Sequence, residues 1–278
     1  MVTVGIIGLG LIGGSLAKAY KASGQAVVLG FDTDAAVMTL VQMSGVLDGI
    51  FTRDTVRRCD LIVFAIPPRA VVRFIREYAR EFSSHSILID CAAIKRAVCD
   101  AVFPLAKEHG FLFLGGHPVM ESEHAGFQYS SSDLFVGTSM ILVPPSEERG
   151  LIDRAKTLLA PIGFGQISVM TAAEHDRGIA YLTQLAHIVS NAYIQSPTAG
   201  SHHGFSVDSY RDMTQGARLH ADMWTELFLD NRNDLLAELD TLISCLREYR
   251  RSIAYGDAEA LRCRLQYGNH RKEEIDGE

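Results

Sequence analysis

The sequence predicts an α/β fold in which an N-terminal doubly wound parallel sheet is followed by an all-helical C-terminal domain. Short apolar runs alternate with helical patterns through about the first 170 residues. After Met170 the pattern changes to helices alone, and a glycine-rich turn lies between the first apolar run and the first helix. At 278 residues and 47% hydrophobic content, the chain is long enough to give each of two moderate domains a core of its own.

Taken in order, "TVGIIG", "AVVLGFD", "LIVFAIP", "SILID" and "FLFLGG" read as strands. "LAKAYKAS", "AAVMTLVQMS", "VVRFIREYAREF" and "KRAVCDAVFPLAKEH" read as the helices between them. Strands alternating with helices imply parallel neighbours with both sheet faces covered. "SMILVPP" is a further strand, a helix follows around "RGLIDRAKTLLAPIG", and "QISVM" reads as the last strand. The domain boundary is drawn near residue 170, giving domains of 1–170 and 171–278.

Beyond that boundary, "TAAEHDRGIAYLTQLAHIVSNAYIQ" opens with Thr171 and, three residues later, Glu174, the pattern of a reciprocal N-terminal cap. Its apolar positions cover much of the circumference, as in a helix buried between neighbours. "PTAGSHHGFSVDSYRDM" reads as an irregular connection. From Trp224 a single long helix is expected to about Ile253, with Leu235, Leu239, Leu242, Leu246, Tyr249 and Ile253 at alternating spacings of four and three. Such a seam suits a second subunit or an intrachain helical core, and both readings stay open.

Composition excludes several classes. A formal net charge of −7 without a Lys/Arg-rich run argues against nucleic acid as the main partner. No basic region precedes the first apolar stretch, and no apolar segment approaches the ~18 residues that cross a bilayer, so the expectation is a cytoplasmic protein without a membrane partner. Five cysteines lack C-x-x-C or zinc spacing, which points to reduced thiols and no metal. Cys91 has no adjacent base in the sequence and reads as a small buried thiol.

"GLGLIGGS" places Gly8, Gly10 and Gly13 in a G-x-G-x-x-G arrangement directly after the first strand, with Leu11 and Ile12 inside the turn. The first glycine permits a tight turn, the second lets a pyrophosphate approach the backbone, and the third allows close helix packing. The anion would rest on the helix N-terminus, where unpaired N–H groups and the helix dipole favour it. Asp32 ends the second strand, 19 residues beyond Gly13. A carboxylate there accepts from ribose hydroxyls and repels a 2′-phosphate, so the expected cofactor is NAD rather than NADP. The all-helical remainder offers no second dinucleotide half of the kind an FAD enzyme needs.

Ligands of an open parallel sheet bind at the carboxyl ends of its strands. Those exits are "AIPPR" with Pro67, "DCAAIK", and "GGHPVMESEHAG". Only the last holds a good acid/base group, His117, which is expected in a restricted turn because Pro118 follows it. A histidine in a loop is more often a structural hydrogen-bonder, but this one stands at a strand exit beside a dinucleotide turn.

Through "GLGLIGGS", "DCAAIK", "GGHPVMESEHAG", "TQLAH", "DSYRDMTQGA" and "MWTELFLDN", in that order, the chain resembles the prephenate/arogenate dehydrogenases of tyrosine biosynthesis. The resemblance implies a Rossmann domain, a helical dimerisation domain and a homodimer. It also implies NAD-dependent oxidative decarboxylation of a small cyclohexadienyl carboxylate. In that family the histidine at the position of His117 takes the ring hydroxyl's proton while hydride passes to the nicotinamide, and loss of carbon dioxide then restores aromaticity. His187 matches the last histidine of the family's S-H-L-P-H motif, and Trp224 matches its M-W pair.

Departures from the family pattern cluster at substrate recognition. Ala93 stands where the family has a serine, Gln184 and Ala186 where it has His and Pro, and Gln215 where an arginine binds a substrate carboxylate. Glutamine cannot form the charged bidentate clamp, a difference of about 2 to 4 kcal/mol at a desolvated site. Arg218 is a candidate replacement if residues 215–218 are helical. Arg211 is another cation, with an ion pair to Asp208 or Asp212 as its alternative role. Glu121, where the family has a small residue, hints at an amino-bearing substrate. A hydroxyacid dehydrogenase of the same two-domain plan is disfavoured because the helical stretch after Met170 lacks a catalytic lysine. A lapsed NAD-binding homologue stays open.

Overall fold

The computed structural model describes residues 1–120, 124–146, 149–200 and 208–277. It divides into two compact units, Met1–Ile179 and Ala180–Glu278.

In the first unit, eight strands form one sheet: β1 (Val2–Ile7), β2 (Ala26–Phe31), β3 (Gly49–Ile50), β4 (Leu61–Phe64), β5 (Ile87–Asp90), β6 (Leu112–Val119), β7 (Ser139–Val143) and β8 (Gln166–Val169). Their order is β3-β2-β1-β4-β5-β6-β7-β8. Helices α1 (Leu11–Ser23), α2 (Ala35–Met43), α3 (Pro68–Tyr78), α4 (Arg96–His109), α5 (Arg149–Leu159) and α6 (Ala172–Ile179) complete the unit. All four residues of β4 and of β5 are buried, because helices cover both faces. Successive side chains enter opposite cores: Leu61, Val63, Ile87 and Ile89 pack with α1 residues such as Leu16, whereas Ile62, Phe64 and Leu88 pack with Val71 and Ile75 of α3.

The first six strands run parallel in the order 3-2-1-4-5-6 of a doubly wound dinucleotide fold, with the switch point between β1 and β4. Two details differ from the sequence reading. The β6–β7 pair is antiparallel, because no α-helix lies among the described residues between those strands to carry a parallel crossover. The short β3 also carries too little apolar pattern to be read from sequence.

The antiparallel pairing moves His117. Leu112 to Leu114 of β6 pair with β5, and Gly115 to Val119 pair with β7. The strand therefore continues through His117 and Pro118 instead of turning there. His117 stands opposite Ile141 on a paired strand, a more rigid support than a turn.

Thr171 and Glu174 make the expected reciprocal cap, with Thr171 N–H donating to Glu174 Oε2 at 2.9 Å and Glu174 N–H donating to Thr171 Oγ1 at 3.2 Å. The cap begins α6, which stays in the first unit because Asp176 accepts from the backbone of Lys95 and Arg96.

The second unit contains a π-helical turn (Ala180–Leu185), α7 (Ala186–Ile194), α8 (Asp208–Thr214), a 3-10 turn (Gln215–Ala217), α9 (Ala221–Asp230), α10 (Arg232–Tyr255) and α11 (Ala258–Asp276). The single helix expected from Trp224 to Ile253 is two helices. Asn231, with φ −112° and ψ 25°, leaves helical geometry between them, and its buried side chain donates to Gln184 Oε1 at 2.8 Å. Part of the irregular connection, Asp208–Thr214, is helical. Of the α10 seam, Leu235 is buried, while Leu246 and Ile253 are exposed within the single chain. No helix among the described residues is long and apolar enough to cross a membrane.

Candidate active site

The carboxyl edge of the sheet brings three strand exits together. At the first, Gly8 has φ +87°, and a Cβ there would lie 2.4 Å from the Ala65 carbonyl oxygen. A Cβ on Gly13 would lie 1.8 Å from the Gly8 carbonyl oxygen, so only glycine lets α1 sit this close to the turn. Gly10 differs, since nothing lies within 4 Å of a Cβ built there. That leaves open space beside the backbone at the start of α1. Leu11 and Ile12 begin the helix and are half-buried, and Pro67 is exposed at the N-terminus of α3.

Asp32 follows β2. Its Oδ2 accepts from Leu9 N–H at 2.7 Å and its Oδ1 from Asp34 N–H at 2.9 Å. The carboxylate is thus tied to the glycine turn while remaining half-exposed.

The second exit, "DCAAIK", has a structural role that sequence reasoning missed. Asp90 and Lys95 form a buried ion pair with no side-chain exposure. Lys95 Nζ also donates to the Gly116 carbonyl at 2.5 Å, and Asp90 Oδ1 accepts from Gly116 N–H at 3.1 Å. Asp90 Oδ2 accepts from Ala92 N–H at 2.9 Å, which closes the turn. A buried ion pair is sustained only when further hydrogen bonds complete it, and here they converge on the residue before His117. Ala93, half-buried in this turn, supplies no hydroxyl. Burial, with the Asp90 charge adding to it, pushes the Cys91 thiol up to about 12, which suits an inert buried thiol.

At the third exit, His117 is half-buried, and its Nδ1 lies 2.8 Å from His175 Nε2. His175 Nδ1 in turn lies 2.8 Å from Asp176 Oδ1. Asp176 accepts from Lys95 N–H at 2.7 Å, Arg96 N–H at 2.9 Å and Arg96 Nε–H at 3.1 Å. Burial alone would raise the Asp176 carboxyl, but the hydrogen bonds from His175, Lys95 and Arg96 outweigh it and hold the group below the usual carboxylate range. His117 moves the other way for an imidazole. Desolvation, then the neighbouring His175 and Lys95, push it down to about 3. It is neutral at ordinary pH and retains a lone pair for a proton. His175 and Asp176 lie on α6, away from the strand exits at which ligands of such a sheet are expected. The signal was "EHD" in the first turns of a capped helix.

In the second unit, His187 on α7 donates through Nδ1 to the Gly216 carbonyl at 3.0 Å, and its ring centroid lies 4.4 Å from that of Trp224. The structure thus brings together two residues that the resemblance had named. Gln184 is buried and engaged at both ends, its Nε2 donating to the Leu227 carbonyl at 2.8 Å and its Oε1 accepting from Asn231. It holds helices together and has little left to offer a ligand. Gln215 and Arg218 are exposed. The helical premise for Arg218 fails, since the 3-10 turn ends at Ala217 and Arg218 is extended, with φ −88° and ψ 108°. Arg211 pairs with Asp208 at 3.1 Å. Glu121 lies outside the described residues.

A family model described as the nucleotide-binding domain of prephenate dehydrogenase matches residues 16–167, and one described as its dimerization domain matches residues 171–267. The chain belongs to the prephenate dehydrogenase family. A cyclohexadienyl dehydrogenase of Zymomonas mobilis is 27% identical, the match covering 93% of this chain and 90% of that protein. Among solved structures, arogenate dehydrogenase from Synechocystis superposes with a TM-score of 0.84 at 21% identity, covering 99% of this chain and all of that one. Prephenate dehydrogenase from Aquifex aeolicus, in complex with hydroxyphenyl propionate and NAD+, gives 0.78 at 24% identity, covering 99% and 98%. The family's members are oxidoreductases, and the parallel sheet and helical unit described above are its fold.

Proposed function

We propose that this enzyme oxidatively decarboxylates prephenate or a close cyclohexadienyl relative with NAD, using His117 as the base. The observation that carries the reading is a neutral imidazole fixed on β6, at the same sheet edge as a glycine turn with room for a pyrophosphate. Gly8, Gly10 and Gly13 would hold the cofactor's pyrophosphate, Asp32 its ribose hydroxyls, and Leu11, Ile12 and Pro67 its flanks. NAD, when bound, supplies the hydride acceptor.

The chain's own part is proton handling and orientation. His117 Nε2 takes the ring hydroxyl's proton as the hydrogen on that carbon leaves with its electron pair, giving a dienone. The C–CO2 bond then breaks, its electrons pass through the ring to the carbonyl oxygen, and the same histidine returns the proton to make the phenol. Rearomatisation drives the sequence. His187, with Nδ1 committed to Gly216, has Nε2 available to orient substrate. Gln215 and Arg218 are exposed candidates for the substrate carboxylates.

The neutral Gln215 favours a substrate that demands less positive charge than prephenate's two carboxylates, such as arogenate or an amino-bearing analogue. Two copies are proposed to pack through the apolar residues left exposed on α10.

The test is NADH formation with prephenate, arogenate and 4-amino-4-deoxyprephenate in parallel. Turnover of at least one is expected, and His117→Asn should bind NAD as before while kcat falls about 10²- to 10⁴-fold. No turnover of any of the three, with NAD bound, would show a scaffold whose catalysis has lapsed.

A further inference from the structure

We infer that His175 and Asp176 are positioning residues that fix the ring and tautomer of His117. The inference rests on the proposed role of His117 as base.

The geometry supplies the order of donors. Asp176, ionised, can only accept, and the backbone N–H groups of Lys95 and Arg96 hold it in place. His175 Nδ1, 2.8 Å away, must therefore carry its hydrogen. In neutral His175 that leaves a lone pair on Nε2, which accepts from His117 Nδ1–H at 2.8 Å. The proton of neutral His117 is then on Nδ1 and its Nε2 is bare, with no hydrogen-bond partner among the described residues. With a neutral His175 each link sets the next, so a carboxylate two links away along the array decides which nitrogen of His117 is the base.

Burial makes the ordering strict. His175 and Asp176 are 1% and 0% exposed, so water does not compete for their hydrogen bonds. The array also answers a difficulty in the mechanism, since so weakly basic an imidazole is a poor proton acceptor alone. As His117 takes a proton at Nε2, its Nδ1–H bond to His175 strengthens, and the Asp176 charge offsets the new imidazolium. Among the described residues, Asp90 pairs with Lys95 and Arg96 with Asp176 beside it.

Two measurements on the full-length protein separate this inference from the functional reading. The first needs no substrate: nitrogen NMR of 15N-histidine-labelled wild type, with the His117 signals assigned by their loss in His117→Asn. His117 protonated on Nδ1 and bare on Nε2 is expected, and the opposite tautomer or a mixture overturns the inference. The second is kinetic. His175→Phe, which removes the acceptor, should lower kcat about 100-fold with KM changed less than about threefold. His175→Gln, whose Oε1 can accept from Nδ1–H, should recover at least about tenfold of that loss. Equal losses in both variants, or a loss confined to KM, would mean that His175 only fills space. Wild type with the expected tautomer but no turnover of any cyclohexadienyl substrate sinks the functional reading and leaves the positioning intact. Turnover that His175→Phe does not slow does the reverse.

Discussion

In the N-terminal unit, His117 stands on a paired strand, backed by two buried residues and by an ion pair that grips the peptide before it. In the C-terminal unit, Gln215 and Arg218 stand on and just beyond a three-residue turn, exposed to solvent, and make no ion pair with the described residues. The first arrangement is over-determined, so a change at one position leaves buried donors or charges without partners. The second can change residue without any cost to folding. The charge-altering departure from the family pattern at Gln215 falls on this exposed turn, where a change of residue costs folding little. Gln184 is the instructive exception, a substituted position in the second unit that is buried and fully hydrogen-bonded, and so has become structural.

The largest stability effect expected from this contrast is at Asp176. Asp176→Ala strands the N–H groups of Lys95 and Arg96 and the Nδ1–H of His175, and should cost about 2 to 4 kcal/mol in urea denaturation. A cost below about 1 kcal/mol would show that the buried array is not over-determined. Gln215→Arg should leave stability within about 0.5 kcal/mol, as surface substitutions do. It should lower KM for prephenate by up to about tenfold, since a hydrogen bond to a charged group contributes about 1.5 kcal/mol once a bound substrate covers the turn. An unchanged KM would remove Gln215 from the substrate site.

The most gradual effect is that of pH on folding. The folded-state pKa of His117 is depressed from 6.5 to about 3, so between those values the unfolded chain binds the extra proton. Stability is full above pH 6.5 and falls as pH is lowered toward 3, by at most about 1.4 kcal/mol per pH unit for this group. Asp176, also depressed, adds to the loss in the acidic part of that range. His117→Asn should flatten the slope between pH 6.5 and 4, and an unaltered slope would mean that the imidazole is not desolvated in the folded state.

Much of the fold was legible because its signals are local. Apolar runs alternating with helical periodicity identified the strands and helices of the N-terminal unit, and spacing alone located the glycine turn and Asp32. The Thr171–Glu174 cap was readable for the same reason, since both partners lie within one helical turn. The break at Asn231 was hidden, because asparagine is tolerated within helices and its partner, Gln184, is 47 residues away in the sequence. The turn expected at His117 failed similarly. Pro118 reads locally as an end to the strand, but pairing with β7 carries the strand on to Val119.

What the sequence by itself determined is the class of fold, the glycine turn and the identity of the candidate base, all set by neighbours within one turn or one strand. The tertiary structure alone decided how that base is held. Lys95, His117 and Asp176 span about 80 residues, and only the sheet order and the docking of α6 against the start of α4 bring them into one hydrogen-bonded array. Hydrogen bonds act over about 3 Å of space regardless of chain separation, so no reading of periodicity or motif spacing can reveal which distant groups share one.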